Sequence, residues 1–362
     1  MVRTAEPILL LAWAQVGWIL CSIVLLGISV WIRLRLNESP VFLRMKEEGR
    51  SSKNPLTESF LHYPNNKFVA LALFGATAGQ GVVWYTGQFY ALFFLTITLH
   101  LDYVTAYLLI AGSLILATPL FVVFGRLSDK IGRLKIILAG CLIAAATYIP
   151  LFKALTHYAN PALEAFQDRV AITVAADDCE VHIFPTAGTK YSECDKVRDY
   201  LTKAGLNYEP VPGVPGKAVV TQIGATELVG WKPDGAKPDP RYAKALADQG
   251  YVRDADRGQI NYPMTLLVLF VLVALVTMVY GPIAAFLVEL FPAKIRYTSM
   301  SLPYHLGNGW FGGLLPLVTA AWVLSSGNIY HGLWYPIIVA LVTVVIGALF
   351  LRDARPDFDI HH

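Results

Sequence analysis

The chain has 362 residues, of which 55% are hydrophobic and only 15% are charged, and its mean hydropathy is +0.51. This composition is too apolar for a soluble globular protein and is typical of an integral membrane protein. The net charge of +3 is small, and no basic run is interleaved with aromatic residues. The composition therefore gives no support for nucleic-acid binding.

The first long apolar segment covers residues 7–32, and Arg33 and Arg35 follow it directly. Because it is long, lacks a small-residue cleavage site and has its positive flank on the C-terminal side, it predicts a membrane span rather than a signal peptide. We expect residues 1–32 to be this span, with the N-terminus outside and Pro40 stopping the helix. Residues 33–66 are polar and basic, which predicts a central cytoplasmic loop.

Three further spans are predicted within residues 67–151, over residues 68–99, 103–124 and 134–151. These are near or beyond the roughly 20 apolar residues that cross a bilayer. In the first of them, Thr77, Gln80, Trp84 and Gln88 recur at spacings of three and four, which gathers them on one helix face. Amides inside a membrane helix need partners, so this face should meet protein or water rather than lipid.

A charged stretch at residues 125–133 separates the last two of these spans. Two glycines and several ionisable groups between long apolar runs predict a tight turn at the membrane surface. Basic residues in short loops stay on the cytoplasmic side, so we place this turn in the cytoplasm.

Residues 152–262 have mixed charge, frequent proline and glycine, and no spanning run. They lie one span away from the cytoplasmic turn and are therefore predicted to be an external, periplasmic insertion. Short strands are expected at residues 171–174, 181–184 and 217–223, and a helix at residues 192–204, which together predict a small α/β module. Cys179 and Cys194 lie here and can form a disulfide in an oxidising compartment, whereas Cys21 and Cys141 lie in apolar runs.

The last three spans are predicted within residues 263–351, over residues 263–288, 299–324 and 334–351. Glycines in the second of these allow neighbouring backbones to approach closely. Residues 352–362 form a predicted cytoplasmic tail, held inside by Arg352 and Arg355. The predicted fold class is thus an all-α polytopic membrane protein of seven spans with a small α/β insertion.

Three loop motifs resemble those of the major facilitator superfamily. Gly125-x-x-x-Asp129-Lys130-x-Gly132-Arg133 is similar to its signature loop between helices 2 and 3, which recurs between helices 8 and 9. Arg33-x-x-Leu36-x-Glu38-Ser39-Pro40-x-Phe42 resembles the stretch after helix 6 in the metabolite:proton symporter branch. Glu289-x-Phe291-Pro292-x-x-x-Arg296 resembles the turn between helices 10 and 11. The resemblance implies a C-terminal six-helix bundle preceded by helix 6.

The function that this resemblance implies is secondary active transport across a bacterial inner membrane. The chain, or a transporter of which it is the C-terminal part, would move a small polar metabolite together with a proton. Such transporters have two six-helix bundles around one pathway, so we expect a second bundle, encoded upstream or supplied by another chain. No motif indicates catalysis, a cofactor or a metal site. An alternative is a membrane-anchored binding or sensing protein that works through the insertion.

The resemblance also implies a transport pathway near the membrane midplane, where polar groups converge. Candidate substrate-binding residues are Gln80, Tyr85, Gln88, Tyr304 and Asn308. The alternative, that these groups only make hydrogen bonds between helices, stays open. His305 is the titratable side chain of near-neutral pKa within these spans and is the candidate for proton coupling, with a structural histidine as the competing interpretation.

Glu289, Arg133 and Arg296 should meet at the cytoplasmic ends of neighbouring helices, where their charges complement each other. In the family, this carboxylate and the loop arginine help to hold the inward-closed arrangement. We expect Gly125 to permit close helix approach and Asp129 to face the positive N-terminal end of another helix. The alternative is a solvated surface network that contributes little energy.

Overall fold

The computed structural model describes residues 6–35, 47, 52–184, 186, 188–235 and 237–353. The chain divides into two compact units, Met1–Lys53 and Asn54–His362. The predicted helix stop at Pro40, most of the motif around it and the end of the tail lie outside the described residues. Each unit is described by itself.

The first unit contains helix α1, Glu6–Arg35, which begins within the predicted span of residues 1–32 and continues past its predicted end. Arg33 and Arg35 lie in its last turn, where positive charge interacts favourably with the negative end of the helix dipole. The Arg35 guanidinium carbon lies 5.2 Å from the centre of the Trp31 ring. The favourable position of these charges is consistent with a helix that continues past residue 32.

Six helices of the second unit are long and apolar enough to cross a membrane, judged by length and composition over the described residues. They follow a short helix, α2, Pro55–Phe60, which lies in the region predicted as a loop. The six are α3, Asn65–Thr98; α4, Tyr103–Ile131; α5, Arg133–Ala159; α9, Tyr262–Leu290; α10, Arg296–Ser326; and α11, His331–Phe350. Together with the small sheet described below, they confirm the predicted fold class. That α1 is a seventh membrane span stays a prediction.

Helix α9 lies at the centre of this bundle and packs along α4 and α5, while α11 packs on α5 and α3, and α10 packs on α3. The buried side chains of α9 recur at alternating steps of three and four residues, which keeps one stripe facing the neighbouring helices. The stripe contains Leu269, Leu272, Val276, Val279 and Ile283. The most apolar of the six helices thus has a continuous buried face, and α3 is the helix with the largest buried share.

Helix α4 continues through the charged stretch to Ile131, and α5 begins at Arg133. The predicted helix end at residue 124 and the predicted turn over residues 125–133 are therefore wrong. The chain reverses at Gly132 alone, where φ is 112° and a Cβ atom would collide with the Asp353 carboxylate. Charged residues are good helix formers in water, so the helix extends past its apolar part without breaking.

Helices α3 and α10 approach each other closely through glycine. A Cβ atom on Gly307 would lie 2.6 Å from the carbonyl oxygen of Thr77, and one on Gly81 would collide with the carbonyl of Gly307. Both helices contain π-helical segments, among them Thr86–Tyr90 in α3 and Gly307–Gly312 in α10. Such segments shift the direction of the following side chains and are frequent at functional sites.

The insertion begins later than predicted, because α5 runs to Ala159 rather than to residue 151. It contains helices α6, Pro161–Arg169, α7, Glu193–Lys203, and α8, Pro240–Asp248. Its four strands are β1, Ile172–Ala176; β2, Glu209–Pro212; β3, Val220–Ile223; and β4, Thr226–Val229. They form one sheet in the order β2-β1-β3-β4, with β1 parallel to β2 and antiparallel to β3. Helix α7 connects the two parallel strands, so this part is a βαβ unit.

The predicted α/β character of the insertion is observed, but its elements differ in detail. Residues 181–184 were predicted to be a strand, but they lie in the loop between β1 and α7 and form no strand. The sequence analysis missed α6, β2, β4 and α8. Strand β2 contains Pro210 and Pro212 and occupies an edge of the sheet, which is where proline is tolerated in strands.

Hydrogen bonds join the insertion to one end of the bundle, which we call the insertion end. Tyr208 N–H donates to the carbonyl of Gly327 at 2.8 Å, and Ile329 N–H donates to the Asn207 side chain at 2.9 Å. The Asn160 amide donates to the Leu99 carbonyl at 2.9 Å. We call the opposite end, with Gly132, the Gly132 end. Bundle and insertion thus form one continuous body within the second unit.

Candidate functional site

The predicted binding residues Gln80 and Asn308 pair with each other across α3 and α10. Gln80 Nε2 donates to Asn308 Oδ1 at 3.1 Å, and Asn308 Nδ2 donates to Gln80 Oε1 at 3.2 Å. Asn308 Nδ2 also lies 2.9 Å from the Tyr304 carbonyl. Gln80 is fully buried, and Asn308 is partly exposed. In this state the two amides satisfy the hydrogen-bonding requirement that a membrane interior imposes.

Aromatic side chains from three helices adjoin this amide pair. The Tyr304 and Tyr280 hydroxyl oxygens lie 3.0 Å apart, and the Trp84 ring stacks on Tyr280 with centroids 6.0 Å apart. Tyr85 packs edge-on against Trp84 at 4.9 Å. We call Trp84, Tyr85, Phe89, Tyr280 and Tyr304 the aromatic cluster; Tyr280 was not among the predicted site residues. The residue spacing along α9 gave no signal for Tyr280, because its aromatic partners Trp84 and Tyr304 lie on other helices.

Gln88 and Tyr85 lie one turn apart on α3, and both are partly exposed. Gln88 belongs to the π-helical segment Thr86–Tyr90, and Asn308 to the segment Gly307–Gly312. The Tyr85 ring packs against α10, where a Cβ atom on Gly312 would collide with it. The structure thus brings Tyr85, Tyr304, Asn308 and Gln80 to one region between α3 and α10.

His305 is exposed on α10 rather than enclosed in the bundle. Its Nδ1 lies 2.7 Å from the Ser301 carbonyl oxygen one turn earlier, which assigns the hydrogen to Nδ1 and leaves Nε2 as the acceptor in the neutral ring. Its ring centre is 5.7 Å from that of Tyr304. Its predicted part in proton coupling stays a prediction.

Two members of the predicted charge cluster, Arg133 and Glu289, pair at the Gly132 end of the bundle. Arg133 Nη2 lies 2.9 Å from Glu289 Oε1 and 3.2 Å from Asp129 Oδ1. The Nε of Arg296 donates a hydrogen bond to the Phe291 carbonyl at 3.1 Å, just after the last turn of α9. Both Arg133 and Glu289 are only partly exposed, so the pair is better shielded than an ordinary surface ion pair.

Within the charged motif, Asp129 has surroundings that differ from the prediction. Asp129 faces Arg133 and not a helix N-terminus; that place is taken by Asp353, whose Oδ1 accepts the Leu134 N–H at 2.6 Å. No other helix among the described residues lies within 4 Å of a Cβ built on Gly125, but a Cβ built on Gly281 of α9 would lie 3.7 Å from the Gly125 nitrogen. Lys130 is exposed. Asp353 was missed because it lies 219 residues from the helix it caps.

A second link at the Gly132 end joins α2 to the start of α10. Lys294 pairs with Glu58, and the Ser299 hydroxyl donates to Ser59 Oγ at 2.9 Å. Ser59 and Ser299 are both fully buried. The residues predicted as a loop before α3 therefore contain a helix that is fixed against the bundle.

Cys179 and Cys194 are joined by a disulfide in the insertion, with Cα atoms 5.2 Å apart. The neighbouring Asp195 accepts hydrogen bonds from the N–H groups of Glu180 and Ser192, both at 2.9 Å, and lies 3.1 Å from His182 Nε2. Burial alone would raise the pKa of Asp195, but these hydrogen bonds and the His182 contact together lower it below its usual value. Asp195 thus fixes the loop between β1 and α7.

No cofactor or metal site emerges from the described residues. One group, Asp178, Cys179 and Cys194, has potential ligand atoms within 4.8 Å of one another. Both sulfur atoms are bonded in the disulfide, so no thiolate is available there as a ligand.

Comparison with known proteins agrees with the membrane bundle. Residues 7–160 match the family model described as Major Facilitator Superfamily. A curated relative, "Putative transporter YdfJ" of Escherichia coli (strain K12), is 32% identical over 130 residues, which are 34% of this chain and 28% of that protein. The chain therefore spans about 28% of the length of the curated relative it matches. No solved structure gives a significant match. These findings and the six helices support a multi-pass membrane protein, part of which is similar to the Major Facilitator Superfamily.

Proposed function

We propose that this chain is a secondary active transporter, or the C-terminal part of one, that moves a small polar metabolite with a proton across a bacterial inner membrane. The observation that carries the proposal is the Gln80–Asn308 pair beside the aromatic cluster, between helices of an apolar bundle. Amides both donate and accept hydrogen bonds, so a polar solute can replace one amide as the partner of the other. The superfamily match over residues 7–160 supports the same function.

The pathway in this proposal runs along the face that α3, α9 and α10 share. Gln88, Tyr85 and Tyr304 are partly exposed there, which leaves polar groups within reach of a solute or of a second bundle. The π-helical segments around Gln88 and Asn308 give the two helices places where backbone geometry can change locally. A second bundle, encoded upstream or supplied by another chain, completes this pathway.

The Arg133–Glu289 pair acts as a latch at the cytoplasmic side in this proposal. It joins the start of α5 to the end of α9, and its 2.9 Å separation allows a charge-assisted hydrogen bond. The insertion then lies in the periplasm, at the opposite end of the same helices. Residues 33–66 form the central cytoplasmic region and residues 352–362 the cytoplasmic tail.

A charge exchange tests the latch. Arg133→Glu should lower the rate of uptake more than tenfold because it places two carboxylates side by side, and Arg133→Glu combined with Glu289→Arg should recover at least part of the rate. Lys130→Glu changes the charge of an exposed neighbour by the same amount and is the matched control. Equal effects of Arg133→Glu and Lys130→Glu would remove the latch from the proposal.

The polar site is tested by uptake from the natural gene, upstream sequence included. Gln88→Ala and Asn308→Ala should each weaken uptake without lowering the amount of protein in the membrane. His305→Ala should change the pH dependence of uptake, because it removes the side chain that we propose as the proton carrier. Ser325→Ala, on the same helix as Asn308 but at the insertion end, is the control. Unchanged uptake and an unchanged pH profile in all three variants would show that these are packing residues.

A membrane-anchored binding protein is the second candidate function. The observation that favours it is the insertion itself, a four-stranded α/β module with a disulfide and its own cavity. Binding by such a module needs no second bundle, whereas transport does. This candidate would be favoured by a solute that binds this chain but is not transported when the second bundle is present.

A further inference from the structure

A cavity of ≈ 520 Å³ opens in the insertion, between α7, the loop after β4 and the segment after α8. Binding sites for small molecules usually measure about 300–1,000 Å³. The charged groups around this cavity are four cations and one carboxylate. Such an excess of one sign in a concave site attracts ligands of the opposite sign.

Most of this positive charge is uncompensated. Lys203 Nζ lies 2.8 Å from Asp199 Oδ2, so these two charges balance each other. Within the described part of the chain, no carboxylate lies within ion-pairing distance of the charged nitrogens of Lys196, Lys237 or Arg253. Three cations from three separate segments therefore line one cavity without an ion-pair partner among the described residues.

The cavity also has an aromatic wall. Trp231 and Tyr200 lie with ring centroids 5.8 Å apart, and Trp231 is held from behind by the buried Tyr242 at 5.1 Å. Arg253 lines the same cavity as Trp231 and Tyr200. A cation beside a fixed aromatic face suits a molecule that has both a carboxylate and a flat apolar body.

We propose that this cavity is a binding site for small organic acids, with Arg253 and Lys237 holding the carboxylate and Trp231 packing against the body of the ligand. The site is separate from the Gln80–Asn308 region and does not depend on transport. A choline-like cation would meet three unpaired positive charges there and is excluded by the same field.

The test is calorimetric titration of the full chain in nanodiscs of zwitterionic lipid, with benzoate as the probe. Arg253→Gln and Lys237→Gln should each weaken benzoate binding at least tenfold, and Trp231→Leu should weaken benzoate more than acetate. Lys244→Gln removes an exposed cation of the same insertion that does not line the cavity, and it should change the affinity less than twofold. Asn308→Ala should leave the affinity unchanged, which separates this site from the proposed pathway.

Several results would overturn the assignment. Absence of benzoate binding, equal losses in Lys244→Gln and Arg253→Gln, or equally tight binding of choline would each do so. Phosphate binding as tight as that of benzoate would show a general anion site instead. Loss of benzoate binding in nanodiscs that contain phosphatidylglycerol would assign the cavity to a lipid headgroup. Far-ultraviolet circular dichroism of each variant checks folding, and because Arg253 and Lys237 are exposed, their variants should fold normally.

Discussion

Gln80 shows how strongly a single partner can matter inside a membrane bundle. Its amide is fully buried and its described hydrogen bonds go to Asn308 alone. Hydrogen bonds between membrane helices average only about 0.6 kcal/mol. A buried polar group that loses its partner costs more, about 1–3 kcal/mol.

We therefore predict that Asn308→Ala lowers the stability of the bundle by about 1–3 kcal/mol, because it leaves the Gln80 amide without a partner. Thermal unfolding of the detergent-solubilised chain measures this. The double variant Gln80→Leu with Asn308→Leu should be more stable than the single variant, since no polar group is then stranded. If the single variant matched the unsubstituted protein, the amide pair would not stabilise the bundle.

At the same scale, the sequence predicted residue types better than residue partners. The complementary charges of Arg133 and Glu289 were expected to meet because both end neighbouring helices, and they lie 2.9 Å apart. Asp353 and Tyr280 carried no such signal, since an aspartate in a charged tail and a tyrosine in an apolar run are ordinary. Only the packing of distant segments brings Asp353 to the N-terminus of α5.

At the scale of helices, the candidate site depends on the close crossing of α3 and α10. Gly307 lies against the backbone of Thr77, whereas nothing lies within 4 Å of a Cβ built on Gly309, two residues further on. The two glycines thus form a natural pair for comparison, because they share a helix and a π-helical segment.

Gly307→Ala should destabilise the bundle by about 1–3 kcal/mol, as overpacking of a filled interface typically does. Gly309→Ala should be neutral or slightly stabilising, because the space is open and alanine is the better helix former by about 1 kcal/mol. Thermal unfolding of both variants in the same detergent decides this. Equal unfolding temperatures would mean that the close crossing does not hold α3 and α10 together.

Elements differed in how far the sequence could predict them. The spans were found because long apolar runs are unambiguous, but their ends moved where charged or polar residues continued a helix, as from residue 124 to Ile131. Strand β2 was missed because two prolines are typical of loops. Helices α6 and α8 did carry a signal, a capping Asn160 or Asp239 followed directly by proline.

At the scale of the whole molecule, sidedness is the prediction that ties the parts together. Lys130 near Gly132 and Lys217 in the insertion are both exposed and lie at opposite ends of the second unit. Lys130→Cys should resist an impermeant thiol reagent added to intact cells, and Lys217→Cys should react with it.

The control for this labelling is the unsubstituted chain, which reports any reaction of its four native cysteines. Of these, Cys141 is buried, and Cys179 and Cys194 are joined in a disulfide. Permeabilised cells should label Lys130→Cys as well, which shows that the thiol itself is reactive. Labelling of Lys130→Cys but not of Lys217→Cys in intact cells would reverse the proposed orientation of the whole bundle.

The central claim, proton-coupled transport, is tested most directly by proton movement in vesicles. Proteoliposomes with the complete natural gene product and an internal pH indicator receive organic acids, betaines and sugars in turn, without a membrane potential. We predict that at least one solute acidifies the interior as it enters, and that Asn308→Ala slows this acidification. If no solute moved protons, while benzoate still bound to the insertion, the protein would be a membrane-anchored binding protein and the transport proposal would be wrong.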